Sequence, residues 1–398
     1  MARVTLFTKS YISIMIANFL LSYGFWLLIP VLPFFLKENF SCTESMLGFL
    51  LCSYTISELC VRPFSGYILD AFPRKPLYLF FYFLCATLFL GYILAGTLTL
   101  FLIIRMIHGG AFGGVSVGGN TLVVDIMPSE RRGEGLGYFG LTNNVAMALG
   151  PMTGLFLHGK IPYNSIFTIG FLACAIGFLT ATVIRTKPKE RISRPPLSLD
   201  RFILLKGLPV SLSLLLLSIP YGATTNFVAI YAEEIGLNVQ TGYFFTLMAL
   251  GMGLSRIIAG KQVDKGRITN CIHLGFYPVI LAFFTLGLCR FSVQWSHTAA
   301  AVSYFAVAIL LGAGFGAMFP ALNNLYINLA PNNQRATATS TYLTAWDIGL
   351  GIGILSSGII AEQFTFYMVY WLGALLCIAS MLFFLLKVTP HYHQHKLR

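Results

Sequence analysis

Charged residues are scarce in this 398-residue sequence, at 10% of the chain, while hydrophobic residues make up 57%. A soluble domain carries about 25% charged residues, so this composition excludes a soluble protein. A membrane-spanning helix needs roughly 20 mostly apolar residues. Twelve such runs are present, at about 10–36, 45–70, 76–96, 98–127, 134–158, 163–184, 206–232, 240–263, 270–290, 297–329, 334–361 and 365–387. The runs are uniformly apolar and do not alternate, which excludes barrel strands and predicts an all-α membrane protein.

The sequence also lacks the motifs of membrane proteins that carry out chemistry. It has no G-x4-G-K-[ST] loop for ATP, no H-E-x-x-H, no paired-aspartate motif for prenyl phosphates and no Ser/Lys nucleophile arrangement. Its eight cysteines are scattered, without a C-x-x-C pair or a His/Cys cluster, and indicate packing rather than metal binding. A primary pump is therefore disfavoured, and so is a polytopic membrane enzyme, the alternative from another class. We expect no enzyme activity, no cofactor and no metal site.

Positive charge is plentiful, with 26 Lys and Arg against 14 Asp and Glu and a net charge of +12. With both termini placed in the cytoplasm, most basic residues fall in cytoplasmic loops or at cytoplasmic helix ends. This asymmetry sets membrane topology, so it does not indicate a nucleic-acid partner. We expect an integral protein of the cytoplasmic (inner) membrane with both termini cytoplasmic, acting as a monomer in the lipid bilayer. The first run is too long for a signal-peptide core and is interpreted as an uncleaved helix.

A repeated motif divides the chain into two related halves. Arg-x3-Gly-x3-Asp occurs at Arg62–Asp70 and again at Arg256–Asp264, each time at the end of an apolar run. Tyr23-Gly24 of the first run likewise returns as Tyr221-Gly222 in the seventh. Repeats of this size in a hydrophobic protein are typical of transporters. The repeat predicts two pseudo-symmetric six-helix bundles, at residues 1–184 and 207–388.

A basic linker and a short tail complete the predicted organisation. Residues 185–206 carry seven Lys or Arg and the pair Pro195-Pro196, so they form a cytoplasmic linker, either solvated or in contact with anionic lipid. Residues 389–398 are predicted to be a free cytoplasmic tail. Its alternating histidines are incidental, the remnant of a tag, or a metal-binding tract.

The loop after the second run carries a family resemblance. It reads Gly66-Tyr-Ile-Leu-Asp70-Ala-Phe-Pro-Arg74-Lys75, and it resembles the signature loop of the major facilitator superfamily. A weaker second copy has Gly260 and Asp264 at the matching positions. The resemblance covers nearly the whole chain and implies a fold of 12 transmembrane helices that acts as a secondary transporter.

This resemblance implies a cytoplasmic latch. Asp70 matches the family residue that closes the cytoplasmic side by meeting a helix start in the opposite half, where Arg335 lies near the eleventh run. Gly66 lets two helices approach closely. Asp125 lies near enough in this topology to hold Arg74, or it is a helix-end charge in water.

Two proline motifs are similar to those of the drug/proton antiporter branch. The first run ends Gly24-x5-Pro30-Val-Leu-Pro33, and its prolines predict a bend facing a cavity. The fifth run carries Gly150-Pro151-x2-Gly154, which resembles the core of the antiporter signature and predicts tight packing that controls access. Within the family this motif marks exporters.

Ionisable residues inside the runs are candidates for proton coupling. Arg105 resembles a buried arginine that the family links to proton transfer, although it could also snorkel to the outer surface. His108 is either a proton shuttle or a hydrogen-bonding group. Glu58 precedes Arg62 by one turn and is either part of the latch or a coupling group.

Asp347 stands apart because it lies about thirteen residues into the eleventh run, with no basic neighbour on its own helix. A charge near mid-bilayer is costly unless it is neutralised or paired. Its counterpart in the first half is Asn144. Asp347 is therefore the best candidate for a titrating or cation-binding carboxyl, against a buried structural acid.

The family analogy places the cavity on the first, fourth, seventh and tenth runs. The candidate cavity residues are Tyr23, Trp26, Asn144, Tyr221, Asn226, Phe319, Asn323 and Trp346. These aromatic and amide groups suit small amphipathic organic compounds, although each could instead pack or face lipid. The leading hypothesis is export driven by a proton gradient, through alternating access. The nearest alternative is a proton-coupled importer of a sugar or other metabolite.

Overall fold

A computed structural model describes residues 7–127, 132–186, 203–331 and 334–397. The side chains at 63, 66–71, 132–134, 136–137, 264 and 335–336 are not described. The described part of the chain contains helices and no strands. The predicted linker at 185–206 lies mostly outside it, so the linker stays a prediction.

Fourteen α-helices are present in the described ranges. They are α1 (Lys9–Leu28), α2 (Leu32–Phe40), α3 (Glu44–Ala71), α4 (Arg74–Leu94), α5 (Leu98–Ile126), α6 (Arg132–Leu157), α7 (Tyr163–Thr182), α8 (Leu208–Glu234), α9 (Gly242–Asp264), α10 (Ile268–Trp295), α11 (His297–Leu329), α12 (Arg335–Gln363), α13 (Phe366–Phe383) and α14 (Thr389–His395). All except α2 and α14 are long, and they correspond in order to the twelve predicted runs.

Eleven of these helices are long and apolar enough to cross a membrane by length and composition alone. The one left out is α6, whose adjacent Asn143 and Asn144 lower its hydropathy. Its 26 residues are still ample for a span, because about 20 residues cross the hydrocarbon core. The chain is therefore an integral membrane protein with the expected twelve-helix arrangement.

The first run is interrupted where its prolines predict a break. Helix α1 ends at Leu28, a turn follows, and α2 begins at Leu32. Pro30 lies in that turn; it cannot donate a backbone hydrogen bond, and its ring clashes with the preceding helical turn. The predicted bend is confirmed, and the single run 10–36 becomes two helices.

The helices cluster into two compact units, which are described separately. The first comprises Met1–Phe40 with Ser53–Pro195, and the second comprises Ser41–Cys52 with Pro196–Arg398. In the first unit α1 packs on α6 and α7, and α4 packs on α5 and α7. In the second, α11 packs on α9 and α10, while α8 packs on α12 and α13.

Small residues bring α1 and α6 together in the first unit. A Cβ atom on Gly150 would lie 2.8 Å from the Leu27 backbone nitrogen, and one on Gly154 would lie 2.5 Å from the Leu27 carbonyl oxygen. Both distances are too short for a side chain. The tight packing predicted for Gly150-Pro151-x2-Gly154 is therefore present, and Pro151 lies inside the helix.

Adding one methyl group at this contact tests its importance. Gly154→Ala is expected to lower the stability of the purified protein by about 1–3 kcal/mol, because α1 and α6 must move apart. Gly140→Ala on the same helix is the matched control, since its Cβ would meet nothing within 4 Å in the described structure. That control should be neutral or stabilising by roughly 0.5–1 kcal/mol. Equal melting temperatures for the two variants would contradict the packing assignment.

The second unit uses the same device between α8 and α12. A Cβ on Gly222 would lie 2.7 Å from the Leu350 carbonyl oxygen, and one on Gly349 would lie 2.6 Å from that of Leu215. Helix α8 is the repeat of α1, and α12 is the repeat of α6. The two halves therefore keep the same close pair of helices, although Pro151 has no counterpart in the second.

The start of α3 belongs to the second unit. The Ser45 backbone N–H donates to Glu362 Oε2 at 2.8 Å, and a Cβ on Gly48 would lie 2.9 Å from the Ile354 carbonyl oxygen. The remainder of α3, from Ser53, lies in the first unit. One continuous helix therefore contributes to both units, which the repeat does not predict.

The C-terminal residues were expected to be a free tail, and that expectation is wrong. Thr389–His395 form α14, and the Tyr392 side chain is buried. Asn328 Nδ2 donates to Tyr392 Oη at 3.1 Å, and the Leu397 N–H donates to the Asn328 carbonyl oxygen at 2.9 Å. The tail docks because its one large aromatic side chain finds a polar partner on α11.

Candidate functional site

One ion pair of the predicted latch lies within the first unit. Arg74 lies at the start of α4, and Asp125 lies near the end of α5. Arg74 Nη1 donates to both carboxylate oxygens of Asp125, at 2.8 and 2.9 Å. Both side chains are partly exposed. The predicted partnership of Arg74 with Asp125 is confirmed.

The other latch predictions fall largely outside the described side chains. These are the roles of Gly66, Asp70, Asp264 and Arg335. Gly260 is described, and a Cβ there would meet nothing within 4 Å among the described residues. The role of Gly260 in the latch therefore stays a prediction.

A buried polar cluster links α3, α4 and α5 in the first unit. Glu58 pairs with Arg62 one turn away, as the i,i+4 spacing predicts. Arg105 is 3% exposed, so it is buried and does not snorkel. Its guanidinium carbon lies 4.3 Å from the centre of the Tyr54 ring, a favourable cation–π arrangement.

Tyr92 joins Arg105 to His108. Arg105 Nη1 donates to Tyr92 Oη at 3.4 Å, and Tyr92 Oη lies 2.9 Å from His108 Nδ1. His108 is 1% exposed. The structure thus gives His108 a hydrogen-bonding role, while proton transfer by it stays a prediction.

Glycines on α5 allow this cluster to form. A Cβ on Gly109 would lie 2.8 Å from the Tyr54 carbonyl carbon, and one on Gly113 would lie 3.1 Å from the Glu58 carbonyl oxygen. Helix α5 therefore approaches α3 closely enough to bring Arg105 over Tyr54. The two glycines therefore leave room for the backbones of α3 and α5 to lie close together.

Two of the three cavity residues proposed for the first half contact neighbouring side chains. Trp26 is largely buried, and its Nε1 donates to Asn143 Oδ1 at 3.2 Å. Tyr23 is half-buried, 6.1 Å from Phe19 between ring centres, and Asn144 is half-buried on α6. Trp26 therefore has a structural contact besides any part in binding.

The second unit contains an aromatic cluster formed by Tyr221, Phe315, Phe319 and Trp346. Tyr221 lies at the middle of it, with ring-centre distances of 5.1 Å to Phe315, 5.6 Å to Phe319 and 5.0 Å to Trp346. Phe319 and Trp346 meet edge to face at 4.2 Å. Three predicted cavity residues from α8, α11 and α12 thus lie together.

The two asparagines proposed for this cavity differ. Asn226 is buried, and its Nδ2 donates to the Gly222 carbonyl oxygen at 3.0 Å within its own helix. Asn323 Oδ1 is buried without a hydrogen-bond partner in the parts of the chain described. An amide that bonds to its own backbone is less available to a ligand than one whose acceptor is unused.

Asp347 lies on α12, directly after Trp346 of the aromatic cluster. It is 4% exposed, one residue beyond Trp346. The Tyr342 phenol is close enough to both Asp347 and Arg256 to interact with them electrostatically. The Asp347 carboxyl, the Arg256 guanidinium and the aromatic cluster therefore belong to one unit, in which Tyr342 interacts with both charged groups.

Several of these neighbours were not identified in the sequence: Tyr54, Tyr92, Phe315, Tyr342 and Arg256 as a site residue. One usable signal was the spacing Tyr54, Glu58 and Arg62, which places three functional side chains on one helix face. The contacts of Tyr92 and Tyr342 depend on helix packing and leave no local pattern.

Sequence comparison reveals related bacterial proteins. The staphylopine export protein of Staphylococcus aureus is 23% identical over 365 residues, covering 89% of this chain and 90% of that protein. The quinolone resistance protein NorA of the same species is 24% identical over 359 residues, covering 85% and 87%.

The fold matches solved transporters as well. The crystal structure of a D-xylose–proton symporter superposes with a TM-score of 0.77, covering 98% of this chain and 99% of that one, at 16% identity. At that identity the likeness establishes the fold alone. A profile described as Major Facilitator Superfamily matches residues 14–354 and 303–398. With its long apolar helices in two units and its paired Arg74 and Asp125, the chain belongs to the Major Facilitator Superfamily of membrane transporters.

Proposed function

We propose that this transporter exports small amphipathic organic compounds in exchange for protons, through alternating access. It would work in the cytoplasmic membrane with both termini cytoplasmic, as a monomer, without a cofactor and without enzyme activity. The proton gradient would supply the energy.

One observation carries the proposal. Trp346 belongs to the aromatic cluster, and the next residue, Asp347, is a buried carboxyl. A bound apolar compound and a titrating group would thus lie on consecutive residues of α12, so that each can influence the other. Ionisable groups inside membrane spans are generally retained for function, because they are costly there.

Two further features favour export. The relatives named above include one protein named for staphylopine export and one named for quinolone resistance. The Gly150-Pro151-x2-Gly154 stretch, which packs α6 closely on α1, resembles the core of the motif that marks exporters in the family.

Transport direction is tested in everted membrane vesicles. We expect outward transport to appear as energy-dependent uptake of at least one fluorescent probe from a panel of ethidium, N-phenyl-1-naphthylamine and 1-anilinonaphthalene-8-sulfonate. Nigericin, which collapses the pH gradient, should release the accumulated probe. Vesicles without the protein are the control. Uptake that occurs only in right-side-out vesicles would indicate the importer instead.

A further inference from the structure

The two copies of the Arg-x3-Gly-x3-Asp motif differ in how their arginines are neutralised. In the first copy Arg62 has Glu58 four residues earlier, and the two form an ion pair. In the second copy Arg256 has Met252 at the same spacing. The residue one helical turn before the arginine is therefore an anion in the first half and a thioether in the second.

No side chain that the structure describes supplies such an anion to Arg256. Its Nη2 lies 3.4 Å from Met252 Sδ, a weak acceptor, and its Nε is buried without a hydrogen-bond partner. Among the residues that the structure describes, no carboxylate pairs with it. The phenols of Tyr221 and Tyr342 lie close enough to interact with its charge. A membrane-embedded guanidinium in this environment can still donate hydrogen bonds to an anionic ligand.

Arg256 shares its unit with an apolar surface. Its charge interacts with the Tyr221 phenol, and Tyr221 is the central ring of the aromatic cluster with Phe315, Phe319 and Trp346. A cation in one unit with an aromatic cluster fits a ligand with one anionic end and an apolar body. Guanidinium groups bind carboxylates in planar, two-point contacts that give both strength and orientation.

We propose that Arg256 binds the anionic group, most readily a carboxylate, of a substrate whose apolar body lies on the aromatic cluster. This assignment rests on the proposed function, because the ligand is taken to be the exported compound. It narrows the substrate class from amphipathic compounds in general to organic anions and zwitterions. It also explains why the second copy of the motif lacks the glutamate of the first.

The most informative variant places a glutamate four residues before Arg256, as in the first copy of the motif. Met252→Glu should form with Arg256 the i,i+4 pair that Glu58 forms with Arg62, and so compete with the ligand's carboxylate. Arg256→Met removes the cation itself. Gln262→Glu is the matched control, because it adds the same negative charge to α9 six residues beyond Arg256, away from its face.

The measurement uses full-length protein in phosphatidylcholine nanodiscs, with no ion gradient. The probes are 2-naphthoate and indole-3-acetate, each paired with its primary amide, and the readout is thermal stabilisation over a concentration series. We expect wild type and Gln262→Glu to bind at least one carboxylate at least tenfold more tightly than its amide. Met252→Glu and Arg256→Met should bind the acid and the amide equally.

Several results would overturn the assignment. These are equal binding of every acid and its amide by wild type, no binding of either acid, or a preference that survives in Arg256→Met. Stabilisation of wild type by phosphatidylglycerol that Arg256→Met abolishes would identify a lipid headgroup as the anion instead. Because no gradient is applied, a carboxylate preference would stand even if the vesicle experiment excluded proton-driven export, and the reverse also holds.

Discussion

Asp347→Asn is expected to abolish accumulation of substrate driven by a pH gradient, while exchange down a substrate gradient continues. The amide keeps the size and shape of the carboxyl and removes its ability to bind and release a proton. Since Asp347 is 4% exposed, the loss of titration is expected to affect coupling directly, without disturbing a surface. This is the largest functional effect that we expect of any single substitution in the chain.

The internal repeat indicates that an amide is tolerated at the position of Asp347. Asn144 is the counterpart of Asp347 on α6, so the same place in the first half already carries the neutral side chain. Helix α12 should therefore accept asparagine without unfolding, because the polar group keeps its hydrogen-bonding capacity. A loss of uphill transport in a well-folded variant can then be assigned to the missing proton.

The measurement is probe accumulation in everted vesicles under an imposed pH gradient, beside counterflow of the same probe without one. Asp347→Glu is the matched control, since it keeps a titrating carboxyl and should retain part of the accumulation. An Asp347→Asn variant that concentrates the probe to the wild-type level would exclude Asp347 as the coupling group and leave Glu58 as the candidate.

Local patterns predicted the helices and several contacts correctly. Apolar runs gave the twelve long helices because the bilayer sets their length. Pro30 marked the break between α1 and α2, since proline cannot continue the hydrogen bonds of a helix. The Glu58–Arg62 pair followed from helical spacing alone.

Contacts between helices were less accessible to sequence reasoning. The link from Arg105 through Tyr92 to His108 requires α4 and α5 to pack in one register, which no local pattern specifies. The free-tail prediction failed for the same reason, because it considered the histidines and not the buried Tyr392. Arg256 was visible as a motif residue, but the absence of an acid four residues before it becomes evident only when Met252 is compared with Glu58.

Glu58→Gln is expected to lower the stability of the purified protein by about 3–5 kcal/mol, the usual effect of removing one partner of a buried ion pair. Glu58 is 7% exposed, pairs with Arg62, and lies close enough to Arg105 to interact with it. Its removal deprives both guanidinium groups of this carboxylate. A charge in poorly solvated surroundings is costly to leave without its counter-ion, because little water is present to stabilise it.

The experiment compares melting temperatures of Glu58→Gln, Arg62→Gln and the double variant with that of wild type. The double variant should recover much of the lost stability, because it removes the stranded cation together with its anion. Glu233→Gln, which neutralises an exposed glutamate, is the control and should be close to wild type. If Glu58→Gln melts like that control, the pair does not hold α3 in place. The buried carboxyl would then be free to exchange protons, and Glu58 would become a coupling group in its own right.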